Sequence, residues 1–131
     1  MKVVYLAHPY GGDERNVEDA KKLVKGLLTQ YPPAVFLSPL QVIGFCYNDV
    51  AYLDGMDYCL ELLRRCDELW LCNSWAGKSW QESRGCCMEY AAAKAWDKPI
   101  YAVNSEWHTM PLFIPHEHER WEKAMSRERS A

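Results

Sequence analysis

The stretch Ser79–Val103, "SWQESRGCCMEYAAAKAWDKPIYAV", decides how the rest of the chain is read. Ser83 is a good helix N-cap, and Gly85 follows within the first turn. Ala91, Ala92, Ala93 and Ala95 are small enough to let that helix lie close to a sheet. "PIYAV" then reads as a short buried strand. A helix handing over to a buried strand is half of a βαβ unit, and the same alternation runs through the chain.

Val3–Ala7, "VVYLA", is a β-branched and aromatic run expected to form a first strand buried on both faces. "HPYGGDERN" breaks it, and Asp13 caps a helix whose apolar positions Val17, Ala20, Leu23, Val24, Leu27 and Leu28 recur at helical spacing. "YPP" stops that helix and "AVFLSPL" is a second strand. Gln41–Leu53 has weak periodicity. Asp54–Arg65 returns to helix, "DELWLCN" is a third strand, and "NSEWHTMPLFIP" connects "PIYAV" to a charged final helix from about Glu117. The expectation is a single domain, residues 1–131, with an α/β, Rossmann- or flavodoxin-like three-layer fold: a parallel sheet of four to five strands with helices on both faces.

A formal charge of −3 gives no electrostatic case for gripping a nucleic-acid polymer. No apolar run approaches membrane length, and the opening "MKVVYLAHPY" is too short and polar for a signal peptide, so a cytoplasmic protein is expected. The six cysteines form no C-x-x-C pair and read as free thiols. His116 and His118 lack a ligand cluster around them. No metal or cofactor is expected.

In an open parallel sheet a ligand binds beyond the carboxyl ends of the strands. The loops expected there are His8–Asn16, Asn73–Ser83 and the segment from Asn104. The helix mouth at Ser83 offers backbone amides, expected to be those of Gly85 and Cys86, and Arg84 adds charge, a combination suited to a phosphate or hydroxyl. Glu89 lies under two turns further on, where the helix dipole is expected to keep it ionised. A poised carboxylate beside a sugar is what covalent glycosyl chemistry requires. On spacing alone, an exposed helix glutamate is the commoner outcome.

Three blocks in order, "YLAHPYGG", "LELLRRCDELWLC" and "SRGCCMEYAAAKAWDKP", resemble the nucleoside 2-deoxyribosyltransferase superfamily with its nucleotide N-glycosidases, most of all its small bacterial and phage members. The resemblance spans roughly Lys2–Val103. It implies cleavage or transfer at the N-glycosidic bond of a 2′-deoxynucleoside or its 5′-monophosphate, with Glu89 as the nucleophile on C1′. It further implies that Ser83 and Gly85 contact the sugar 5′ end, and that Tyr5 borders the site. Pro9, Tyr10, Gly11 and Gly12 become the loop that closes over substrate, and Asp67 a structural residue. His8 stands where the family carries glycine, either assisting the leaving base or merely packed. The family's helix acid falls by count on Cys59, which leaves Asp57, or Asp54 earlier in the helix, to assist proton transfer. A homodimer or larger homo-oligomer is also implied. The alternatives are a nucleotide-binding module without turnover, and a structural protein whose tryptophans and cysteines are only core and interface.

Overall fold

The computed structural model describes residues 1–31 and 33–115. The expected final helix and the His116-x-His118 pair lie outside the described residues. The strands are β1 (Lys2–Ala7), β2 (Ala34–Leu37), β3 (Glu68–Cys72), β4 (Ile100–Val103) and β5 (Thr109–Phe113). The helices are α1 (Glu14–Gln30), the short α2 (Pro39–Val42), α3 (Tyr52–Arg64) and α4 (Arg84–Ala95). Asp13 caps α1 by accepting the Arg15 amide at 2.9 Å, as its position before an amphipathic run requires.

The sheet order is β2-β1-β3-β4-β5. Strands β1 to β4 pair in parallel, while β5 runs antiparallel to β4 at the edge. That fifth strand occupies the stretch expected to be a connector. Pro111 cannot donate to the ladder, and an edge strand tolerates such a residue.

Alternation along β1 sends Tyr5 and Ala7 to one face, where Leu63 of α3 and Cys86 and Ala93 of α4 close over them. Val4 and Leu6 go to the other face, beneath Leu23 and Leu27 of α1 and beside Phe36 and Trp70. The result is the expected three-layer sandwich. Asp67 is structural, as expected: its carboxylate Oδ2 accepts the Val3 amide at 2.8 Å and its own amide donates to the Val3 carbonyl at 2.8 Å, tying the start of β3 to β1.

Strand β1 lies between β2 and β3, so the chain leaves the sheet in opposite directions on its two sides. In this strand order the crevice falls beyond the carboxyl ends of β1 and β3. No helix among the described residues is long and apolar enough to cross a membrane.

Candidate active site

A cleft of about 1040 Å³ opens at that crevice. Its sides are the β1–α1 loop, the segment around Pro39–Tyr52, one side of α3, the loop after β3, and the mouth of α4. The loop after β4, expected to join them, does not line it. That loop is folded back on α1 instead: the Trp107 ring covers Gly26, where any added Cβ would lie 2.2 Å from it, and Tyr31 donates its hydroxyl to the Trp107 carbonyl at 2.8 Å.

Glu89 is on the cleft lining yet only 5% exposed. Its Oε2 accepts the hydroxyl of Tyr5, which stands fully buried in the sheet directly behind it. Among the described residues no cation pairs with this carboxylate. Burial pushes it up to about 7, against the pull of the Tyr5 hydrogen bond. The expectation that the helix dipole would keep it ionised is therefore corrected. Glu89 sits beyond the first turn of α4, where the dipole has faded and desolvation dominates. Tyr5 is itself raised by burial first and by the Glu89 charge second. Tyr5 therefore remains a neutral phenol, hydrogen-bonded to a carboxyl whose ionisation is held back by burial.

At the mouth of α4, Ser83 Oγ accepts the Cys86 amide at 3.3 Å. This cap consumes one of the two donors expected to face a ligand, so the free amides at the mouth are those of Arg84 and Gly85. The Arg84 guanidinium rests over the Tyr52 ring at 5.1 Å and has no carboxylate partner among the described residues. A Cβ added to Gly85 would meet only Met56 Sδ and Tyr52 Oη, both at an ordinary 3.5 Å. The protein's own packing therefore does not demand glycine there, and the space in front of it belongs to the cleft.

The β1–α1 loop supplies His8, Pro9, Tyr10 and Gly11 to the lining. Gly12 does not line the cleft; with Gly11 it provides the positive φ that the turn needs, and it packs against the Tyr47 ring. Both His8 nitrogens are engaged, Nδ1 with the Pro9 carbonyl at 2.8 Å and Nε2 with Asp19 Oδ2 at 2.7 Å. Packed and bonded, His8 anchors the loop, and no ring nitrogen faces a leaving base. A strap crosses the mouth: Asp13 and Arg15 pair at 2.9 Å, Arg15 covers the Trp75 ring at 4.3 Å, and the Trp75 indole donates to Asp13 at 3.1 Å. Trp80 packs on Tyr90 and Trp107 on α1, and neither lines the cleft.

Asp57 is exposed and does not line the cleft, and neither does Asp54. Met56 and Cys59 occupy the inward side of α3, and a residue next to Met56 is carried about 100° around the helix toward solvent. Cys59 meets Tyr5 and Glu89, and burial with the Glu89 charge pushes its thiol up to about 11. Sequence reasoning also passed over the wall at Ile43–Tyr52, with Tyr47 and Tyr52. Its turns are too short to show periodicity; the only available signal was the density of tyrosine beside glycine. Among the described residues no group of three or more His, Cys, Asp or Glu side chains is arranged to hold a metal ion.

No protein-family model matches the chain, and no curated protein matches it. Among solved structures it resembles a 2-desoxiribosyltransferase from Leishmania mexicana, with a TM-score of 0.57 and 20% identity over 79% of this chain and 65% of that one. At this identity the likeness is one of fold. The chain accounts for about two-thirds of the length of the structure it resembles.

Proposed function

We propose that the protein cleaves or transfers at the N-glycosidic bond of a 2′-deoxynucleoside or 2′-deoxynucleoside 5′-monophosphate through a glycosyl–Glu89 intermediate. One observation carries the reading: Glu89 is a buried carboxylate on the lining of a cleft roomy enough for a nucleoside, with a phenol to hold it and, among the described residues, no cation to occupy it. The fold likeness to a 2-desoxiribosyltransferase supports it.

In this scheme Glu89 attacks C1′ as the bond to the base lengthens, and its charge offsets the oxocarbenium character of the sugar. The approaching positive charge favours the ionised form of a carboxyl otherwise poised near 7. Tyr5 keeps one oxygen engaged so that the other faces the sugar. The Arg84 and Gly85 amides, with the Arg84 guanidinium, receive the 5′ hydroxyl or phosphate. Water or a second base then resolves the ester. The substrates are free nucleosides or nucleotides of the cytoplasm. The same reading implies a homo-oligomer, and Phe45, Leu53 and Tyr58, exposed in the segment that walls the cleft, are where a second copy would pack.

The test is release of free base from a panel of deoxynucleosides and their monophosphates, with and without an acceptor base. Glu89→Gln is expected to lower release by on the order of 10³-fold or more. Ligand binding by calorimetry without any released base would instead favour the binding module, which the thiol at Cys59 also favours.

A further inference from the structure

Expelling a neutral base requires a proton on its departing ring, a contribution of about 10²–10⁴-fold when a positioned acid supplies it. Among the described residues, the α3 groups within reach of the Glu89 charge are Cys59, a thiol pushed up to about 11, and Tyr52, a phenol raised by burial; neither is a carboxylic acid. Of the other carboxylates on the lining, Asp13 is held at about 2 by its bonds to Arg15, and Glu82 is exposed on the single turn before α4. His8 has both nitrogens engaged. The chain has thus placed a sulfur where proton delivery would be needed.

What lines the loop side of the cleft is aromatic. Tyr10 and Tyr47 form an edge-on pair with centroids 4.8 Å apart. The Tyr10 hydroxyl donates to Glu14 Oε1 at 3.0 Å, which enriches the ring in electron density and sets a carboxylate behind it. Faces of this kind attract a cation that has left water. Arg84 lies at the other side, over Tyr52 at the helix mouth, where the sugar's 5′ end belongs.

We propose that the cleft is built for a nucleoside whose base already carries positive charge, an N-alkylated purinium or a pyridinium, seated against Tyr10 and Tyr47 while Glu89 takes the sugar. This deepens the N-glycosidic reading and rests on it. The chemistry balances without an acid. Glu89 forms a bond to C1′, the C1′–N bond breaks, and its electron pair neutralises the ring. Water then displaces Glu89 from C1′, leaving free sugar, neutral base and one proton released to solvent.

The experiment compares 7-methyl-2′-deoxyguanosine with 2′-deoxyguanosine on the full chain, each corrected for its spontaneous decay. The quantity read is the enzyme's acceleration over that spontaneous rate, so a better leaving group does not by itself decide the result. The methylated nucleoside is expected to show at least about tenfold greater acceleration, because proton delivery is the part the cleft lacks. Tyr47→Ala is expected to raise KM for the cationic substrate roughly fivefold more than for the neutral one, because the cation loses the ring's electrostatic attraction as well as its contact area. Equal or greater acceleration of the neutral nucleoside overturns the inference. Glu89-dependent release from the neutral nucleoside alone does so while leaving the N-glycosidic reading standing. Release from neither overturns both.

Discussion

Two buried glutamates sit on opposite faces of the same sheet. Glu68, 7% exposed, lies on the α1 face with both oxygens occupied: Lys2 reaches Oε2 at 2.8 Å, and the Trp70 indole donates to Oε1 at 3.0 Å. Glu89, 5% exposed, lies on the α3/α4 face with a phenol and no cation. A buried carboxylate with a full set of partners is part of the structure; one lacking them carries a cost that folding alone does not explain. The α1 face is where stability is made. Trp70 meets Phe36, Tyr31 and Tyr101 there, with ring centroids between 5.2 and 6.0 Å. The α3/α4 face instead holds a poorly solvated carboxylate beside a cleft.

The contrast is broken most severely at Trp70. Trp70→Ala is expected to cost about 3–5 kcal/mol by denaturant titration, because the ring packs on Phe36 of β2, Tyr101 of β4 and Tyr31 at the end of α1, and its loss also frees Glu68.

Glu89→Gln is expected to do the reverse. With its pKa raised from an ordinary 4.5 to about 7, Glu89 favours the fold only while protonated. That contribution is present below about pH 4.5 and lost as the pH rises through about 7. At pH 8 the substitution should therefore raise stability by on the order of 3 kcal/mol, and at pH 4 by almost nothing. Thermal melts at the two pH values read the difference; a loss of stability at pH 8 would make Glu89 a structural group like Glu68. Under the proposed reaction the same protonation sets activity, because only the ionised form can attack C1′. The kcat/KM for base release should rise with pH and level off, with a midpoint near 7.

Gly26→Ala tests whether the α1 side is insulated from the cleft. Its new methyl would collide with Trp107, for an expected loss of about 2 kcal/mol. Activity per folded molecule should stay as it was, since neither residue lines the cleft. The smallest effect is expected at Tyr5→Phe. The hydrogen bond that lowers Glu89 disappears, so the pH midpoint of kcat/KM moves up and turnover at pH 7 drops by roughly tenfold.

The alternation of elements was legible because apolar runs and helical spacings are local. "VVYLA", "DELWLCN" and the Ser83-capped helix lie where their patterns put them, and Ser83, Gly85 and Glu89 follow from a fixed rise along one helix. β5 was not legible, since Pro111 hides an edge strand whose pairing depends on β4. Nor was the tyrosine wall, whose members come together only when α3 and the first loop close on each other.

Residue order and spacing were enough to predict an α/β chain of alternating strands and helices with a carboxylate under two turns inside α4. They could not say that this carboxylate would be desolvated, since its ionisation depends on burial and on Tyr5, distant in sequence and brought against it by the sheet. Nor could spacing distinguish Asp57 from Cys59 as the inward residue, because a helix turned by a fraction of a turn exchanges one for the other. Local patterns are set by neighbours along the chain; charge, reactivity and facing are set by neighbours in space.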